Sequence, residues 1–232
     1  MSTEIIELDE IESTNEFCKK LHLDDAIVIA KKQSGGKGTK GRSFYSEEGG
    51  LYLSVAKKYE KFDYSKTFTI MINSCVAVCR TLESFNLKPK IKWANDVLVG
   101  NKKICGTLIE NRLCSGGNCT SIVGIGLNVN NAIADEIKDI ATSMSEQTGK
   151  KVNLKKVQNT LIANLQKEYT VKDYKAYIDW FGSEVTLESN GQTFNAIAYD
   201  VDETGNLVCG VDGQIKKISS AEMSLRLKCK SI

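Results

Sequence analysis

Four short segments of this 232-residue chain combine side chains in ways that chemistry uses. The first, Gln33-Ser34-Gly35-Gly36-Lys37-Gly38-Thr39-Lys40-Gly41-Arg42, holds four glycines, three basic residues and almost no apolar side chain. Such a backbone can curl closely around an anion, with N–H groups and cationic heads donating charge-assisted hydrogen bonds. A flexible surface loop is the alternative, and the spacing is neither G-x-x-x-x-G-K-[ST] nor G-x-G-x-x-G. Phe44, just beyond it, can stack on a base or fill a core. The second segment, Ile91-Lys92-Trp93-Ala94-Asn95-Asp96, sets a cation, an amide and a carboxylate side by side, and the third, Lys102-Lys103-Ile104-Cys105-Gly106, adds two cations. Together they can neutralise charge at a site or form a surface ion pair. The fourth, Gly124-Ile125-Gly126-Leu127-Asn128-Val129-Asn130, ends a strand in small residues that let a ligand approach the backbone, with Asn128 as a hydrogen-bonding reader. A glycine-kinked edge strand is its other reading.

Each segment needs a frame. Residues 4–8 alternate with period two, and Glu12-Ser13-Thr14-Asn15-Glu16 offers a capping residue before Phe17 and Leu21, so a strand leads into a short helix. Residues 26–30 read as a buried strand that delivers the glycine-rich segment, and residues 51–55 resume β-alternation. Phe68, Met71, Ile72, Cys75, Val76, Cys79 and Leu82 recur at three and four and describe the buried face of a long helix. Beyond Pro89 comes a β-meander at 91–93, 96–99, 103–109 and 121–129. Leu154, Val157, Leu161 and Leu165 mark another amphipathic helix, expected to continue toward Trp180. Short strands at 184–187, 193–199, 207–211 and 214–218, separated by Asn-Gly, Thr-Gly-Asn and Asp-Gly turns, make a terminal all-β module of about 50 residues, small enough to be marginal alone.

Composition narrows the class. The 31 Lys+Arg against 29 Asp+Glu leave a net charge of +2, too small a field to gather nucleic acid or anionic lipid. No apolar run approaches the ~20 residues a membrane-spanning helix needs, and the acidic start lacks the marks of a signal peptide. A cytoplasmic protein with no membrane or nucleic-acid partner is expected. The eight cysteines are scattered through apolar segments without a C-x-x-C pair, which reads as buried reduced thiols. His22 is the only histidine, so neither a Cys/His zinc site nor a His-based nucleophile triad is expected.

Taken in order, several segments resemble the motifs of the biotin protein ligase family. They are Glu12-Ser13-Thr14-Asn15, the 33–42 segment with Phe44, Gly49-Gly50-Leu51-Tyr52-Leu53-Ser54, Lys92-Trp93-Ala94-Asn95-Asp96, the 102–110 run ending in Leu108-Ile109-Glu110, and 124–130. The resemblance implies an α+β fold of the class II synthetase-like, biotin/lipoate ligase type. A central mixed β-sheet flanked by helices would form a catalytic biotin- and ATP-binding domain at 1–182, with a small all-β barrel at 183–232. It implies a biotin–[acetyl-CoA-carboxylase] ligase. The biotin carboxylate attacks the α-phosphate of ATP with Mg²⁺ present, giving biotinyl-5′-AMP, and a lysine of a biotin carboxyl carrier domain then displaces AMP. Both partners of the first step are anionic, so fixed cations and N–H dipoles suffice and a chain with a single histidine can do the work.

By motif position, the resemblance implies that Ser13, Thr14, Asn15 and Gln33 hydrogen-bond the biotin ureido ring. Gly36 and Lys37 stand beside it, and Gly106, Leu108, Gly124 and Gly126 line the pocket. Lys37, Gly38, Thr39 and Arg42 fold over the phosphate, Phe44 faces the adenine, Lys92 and Asn95 join the adenylate site, and Asn128 meets the nucleotide or its metal. Lys103 contacts the carboxylate and then the acyl-phosphate. Lys103, Arg42 and Asp96 form the catalytic set, with Asp96 orienting or deprotonating the acceptor amine. Mg²⁺ is expected with ATP, without a metal site made by protein alone.

Two departures stand out. The family's loop is usually G-R-G-R-x-G-R, whereas Gly36-Lys37-Gly38-Thr39-Lys40-Gly41-Arg42 has Thr39 where a second arginine is usual and a lysine for the first. Ala94 replaces a usual proline. A lipoate ligase or octanoyltransferase is the rival enzyme, but those relatives usually carry R-R-x-S-G-G-G, and Lys-Trp-x-Asn-Asp favours biotin. The Ser-Thr-Asn motif at position 13 leaves no room before it for a helix-turn-helix, which disfavours a repressor. A non-catalytic biotin-binding module is the blandest alternative, and the apolar pattern does not separate monomer from homodimer.

Overall fold

The alternating, β-branched start of the chain needs a partner for its backbone, and it finds one by a crossover. Strand β1 (Glu4–Ile11) passes through helix α1 (Thr14–Lys20) to β2 (Ala26–Gln33), which pairs with β1 in parallel. Ser13 starts α1 as expected, its side chain accepting from the Glu16 N–H, while Lys19 and Lys20 occupy the last turn where the helix dipole favours cations. The computed structural model describes residues 4–63, 66–189, 191–221 and 223–227.

Strand β3 (Leu51–Tyr59) follows the glycine-rich segment, and then helix α2 (Lys66–Glu83). The meander comes next as β4 (Pro89–Lys92), β5 (Asp96–Val99), β6 (Lys102–Leu113) and β7 (Cys119–Leu127). These strands form one seven-stranded mixed sheet in the order β1, β2, β3, β7, β6, β5, β4, antiparallel except for the first pair. Strand β7 is central, so its glycines do not mark an edge.

Helices α3 (Met144–Thr148), α4 (Leu154–Leu165) and α5 (Val171–Lys175) lead to the second sheet. The helix expected to run from Leu154 toward Trp180 stops at Leu165, because the chain re-caps itself. The Tyr169 N–H goes to the Asn73 side chain, and Thr170 and Asp173 form a capping box that begins α5. Another such box, Ser143 with Glu146, starts the unforeseen α3.

The second sheet comprises β8 (Glu184–Ser189), β9 (Gln192–Val201), β10 (Leu207–Val211), β11 (Gln214–Ile218) and β12 (Ser224–Leu227). Strand β12 was not foreseen. Where a barrel was expected, the described pairing is an antiparallel sheet in the order β11, β10, β9, β8, β12, and no ladder joins β11 to β12 among the described residues.

The large sheet is covered on both faces. Its α1 side carries a small cluster of Cys18, Val28, Ala56 and Ile122. Its other side packs on α2 and α4 in an extensive core that continues without a break into Val185, Leu187, Ala198 and Cys209 of the second sheet. Indole groups tie the two sheets together. Trp93 Nε1 donates to the Gly205 carbonyl at 2.9 Å, and Trp180 Nε1 donates to the Ile91 carbonyl at 2.8 Å.

Cys18, Cys75, Cys79, Cys105, Cys119 and Cys209 are buried and free, and Cys114 is half-buried. Cys229 lies outside the described residues. Burial pushes the Cys18 thiol up to about 11 and the Cys75 thiol up to about 12, which keeps both protonated and unreactive near neutral pH. No helix among the described residues is long and apolar enough to cross a membrane.

Replacing Trp93 with Phe leaves the Gly205 carbonyl without its indole donor, and urea unfolding followed by circular dichroism is expected to show a loss of about 1–3 kcal/mol.

Candidate functional site

The register of the large sheet decides where a ligand can lie on its α1 face. Ala56, Ile122 and Glu110 stand side by side in the row beneath α1. One row on come Ser54, Gly124 and Leu108, and one further Tyr52, Gly126 and Gly106. Three glycines on two adjacent strands leave a trough in which a side chain has no room. A Cβ at Gly124 would lie 2.5 Å from Asn15 Oδ1, one at Gly126 2.6 Å from Phe44 Cε1, and one at Gly106 2.9 Å from Lys103 Nζ. The trough opens into a cleft of about 470 Å³, including its open mouth.

One wall of the cleft is neutral and polar. Ser13, Thr14 and Asn15 at the start of α1 are all buried. The Thr14 N–H and hydroxyl both donate to Gln33 Oε1, at 2.9 and 3.1 Å, and Gln33 Nε2 donates to Ser46 Oγ at 2.9 Å. Ser54 Oγ lies 2.7 Å from Thr14 Oγ1 and 2.6 Å from Asn15 Oδ1, while Asn15 Nδ2 donates to Glu110 Oε2 at 2.8 Å. Fixed donors and acceptors of this kind suit a compact, uncharged polar ring.

The opposite end is cationic. Lys103 Nζ sits 2.6 Å from Asp96 Oδ1 and 5.7 Å from the centre of the Phe44 ring, which itself lies over the glycine trough. Lys92 Nζ approaches the other Asp96 oxygen at 3.6 Å, and burial holds its ammonium below the usual lysine range. Lys37, Gly38 and Thr39 of the loop and Asn95 after the second segment complete the walls, with Asn95 Nδ2 donating to the Thr107 carbonyl at 2.8 Å.

Lys37 Nζ also reaches back 2.9 Å to Glu16 Oε1, which Lys19 approaches at 2.8 Å. Hydrogen bonds from Lys19 and then Lys37 hold the Glu16 carboxyl down at about 2.

Most of the singled-out residues thus share one cleft, but some do not reach its wall. Gly36 is buried behind the loop, its carbonyl accepting from the Phe44 N–H at 2.8 Å. Arg42 turns away to Ser224 Oγ of β12 at 3.4 Å, and Lys40 reaches the same hydroxyl at 3.2 Å. Asn128 is buried after β7, where its Nδ2 donates to the Thr142 carbonyl at 3.0 Å and its Oδ1 accepts from Asn131 Nδ2 at 3.1 Å. Its amide shapes the turn and does not face the cleft. Asp96 and Lys92 stand behind Lys103, just outside the lining. Ser46, Ser54, Glu110, Lys19 and Glu16, which support the polar wall and the loop, had no assigned role. Their signal was register and helical spacing relative to Asn15 and Lys37.

The chain matches the model of the "Biotin/lipoate A/B protein ligase family" over residues 8–130, and that of the "Biotin protein ligase C terminal domain" over 181–226. It belongs to the biotin/lipoate A/B protein ligase family. It is 30% identical over 246 residues to the "Bifunctional ligase/repressor BirA" of Bacillus subtilis, covering 97% of this chain and 75% of that one. Against the "Biotin--[acetyl-CoA-carboxylase] ligase" of Mycobacterium tuberculosis the identity is 25%, over 87% of this chain and 79% of the relative. In three dimensions it resembles the biotin protein ligase from Aquifex aeolicus in complex with biotin and ATP, with a TM-score of 0.81 and 30% identity, over 98% of this chain and 100% of that one.

Within this family fold, the loop departure has a definite place. Thr39, standing where a second arginine is usual, lies on the cleft wall, whereas Lys40 adopts φ 58° and points to the C-terminal sheet. The Trp93–Ala94 peptide, where proline is usual, is cis.

The ionic tether between loop and helix should be visible by titration. A carboxyl held at about 2 contributes stability that is present above its ordinary value of 4.5 and is lost as pH falls through about 2. Carbon-detected NMR is expected to give Glu16 a midpoint near 2, and Lys19→Met is expected to raise it further than Lys37→Met.

Proposed function

We propose that this cleft binds biotin and ATP and that the protein attaches biotin to a lysine of a biotin carboxyl carrier domain through biotinyl-5′-AMP. One observation carries the reading: Lys103 stands at the junction between a neutral hydrogen-bonding wall and a cluster of cations, over a trough bare of side chains. Biotin has the complementary form, with a polar, uncharged ureido ring at one end and a carboxylate at the other. Thr14, Asn15 and Gln33 meet the ring, and the valeryl chain lies along Gly124, Gly126 and Leu108. Lys103 receives the carboxylate.

In the first step a carboxylate oxygen attacks the α-phosphorus of ATP and the bond to pyrophosphate breaks. Lys103 and Lys37 offset the charge of two anions brought together, and Lys92 adds to their field. Mg²⁺ would accompany the triphosphate and offset part of its charge, while Asp96 faces the ammonium groups of Lys103 and Lys92.

In the second step the acceptor amine attacks the acyl carbon and AMP leaves. Lys103 stabilises the developing oxyanion, and Asp96 orients the amine and takes its proton. Arg42 closes onto the phosphate by leaving Ser224, so the catalytic domain at 1–182 and the terminal domain at 183–232 both shape the loop. A lipoyl or octanoyl chain offers the polar wall of Thr14, Asn15 and Gln33 no hydrogen bond, which favours biotin.

The test is pyrophosphate exchange into ATP, with biotin, lipoate and octanoate as acids. Exchange is expected with biotin alone, and Lys103→Ala is expected to lower it by about 10²-fold or more. Equal exchange with lipoate would make this a lipoate ligase. Biotin binding without exchange would make it a binding module.

A further inference from the structure

We propose that Glu110 is a positioning residue: it fixes the Asn15 amide with its oxygen toward the cleft, making this wall selective for a ligand N–H. The inference rests on the biotin reading and adds to it the choice of which ring edge is read.

An asparagine amide has two faces of nearly equal shape, and its orientation is set by its neighbours. Asn15 has two. Ser54 Oγ, 2.6 Å from Asn15 Oδ1, is a hydroxyl and can donate or accept, so it tolerates either orientation. Glu110 Oε2 lies 2.8 Å from Asn15 Nδ2, and a carboxylate only accepts. The amide nitrogen must therefore face β6, which leaves the oxygen on the other side.

That oxygen is aimed at the ligand by the sheet. Asn15 Oδ1 lies 2.5 Å from where a Cβ on Gly124 would stand, so it overhangs the bare floor of the cleft. Ser54 takes one of its lone pairs, and the second is left for a donor in the cleft. A ureido N–H is such a donor.

The carboxylate is itself held. Lys19 Nζ donates to Glu110 Oε1 at 2.5 Å and to Glu16 Oε1 at 2.8 Å, and Lys37 of the loop meets the same Glu16 oxygen. Alternating charges thus run from β6 across α1 to the loop. With one oxygen on Lys19, Glu110 turns its other oxygen to Asn15.

The experiment measures equilibrium binding of biotin and of its two mono-N-methylated ureido isomers by calorimetry, in the full chain and two variants. In wild type, one isomer is expected to bind at least tenfold more weakly than the other, because its methyl group replaces the donor that Asn15 reads. Glu110→Gln keeps the shape but can present an N–H to the Asn15 oxygen, so both amide orientations become available. It is expected to weaken biotin about tenfold and to bring the two isomers within about threefold of each other, with kcat at saturating biotin within about twofold of wild type. Ser54→Ala leaves the carboxylate in place and is expected to keep the discrimination.

Equal binding of both isomers by wild type, or undiminished discrimination in Glu110→Gln, would overturn the proposal. So would loss of discrimination in Ser54→Ala, which would make the hydroxyl the orienting group. Wild type that binds no biotin at all would sink the biotin reading itself, and the inference with it.

Discussion

A sheet face can accept a ligand only where its side chains stop, and here they stop at Gly106, Gly124 and Gly126. Everything around the cleft is fitted to that gap. The row beneath α1 carries Ala56 and Ile122, which with Cys18 and Val28 seat the helix on the sheet. The next two rows carry the glycines, so the start of α1 overhangs empty floor and its Asn15 meets Gly124 closely. A one-residue slip of β6 would turn Cys105 out of the core and into the trough, and one of β7 would do the same to Ile125, since alternate strand residues face opposite sides. The long ladders on both sides of β7 oppose that slip. Binding geometry and fold stability therefore draw on the same register.

The loop from Gln33 to Phe44 closes the trough from above, and it is anchored at points of different character. Its first residue belongs to β2 and its last lies over the glycines. Between them Lys37 is tied to α1 through Glu16, whereas Lys40 and Arg42 are tied to β12 through Ser224. The tethers are partly exposed, so each is individually weak. Tethers of that strength hold a glycine-rich backbone near its place without locking its cations. The C-terminal sheet thereby touches the site through the loop, while its core is continuous with that of the larger sheet.

The frame of the molecule was legible wherever a periodic pattern or a turn signal was local. The strand-helix start, the long helix behind the sheet, the meander and the Asp-Gly hairpin all stand where period and turn chemistry put them, while Asn190 of the expected Asn-Gly turn lies outside the described residues. The breaks were less visible. Leu165 continues an apolar stripe, and only the capping box at Thr170 and the Asn73 contact stop it there. Strand β12 has four residues and depends on β8, a partner distant in sequence. In the site, the glycines and lysines were singled out in the sequence with their bland alternatives open, since absence of a side chain and presence of charge are properties of single positions. Supporting groups are properties of pairs. Glu110 and Asn15 are 95 residues apart in sequence, and only the sheet register brings them together. Asn128 failed in the opposite sense: a polar residue at a strand end reads as a ligand group until the carbonyl of Thr142 is seen to take its amide.

The distribution of titrating groups limits the chemistry further than the motifs do. His22 pairs with Arg112 beside Asp24 on the far side of α1, and the described cysteines in the core are held protonated by burial. Among the described residues, neither type lines the cleft. Its polar lining consists of lysines, amides and hydroxyls, with the carboxylate of Asp96 just behind Lys103. Such a set cannot form a covalent acyl-enzyme through a thiolate or move a proton through an imidazole near neutral pH. It can bring two anions together and lower the charge repulsion between them. Lys103 and Lys92 around Asp96 give the cationic end a field that lowers repulsion between anions, and the Asp96 carboxylate is held 2.6 Å from Lys103 Nζ.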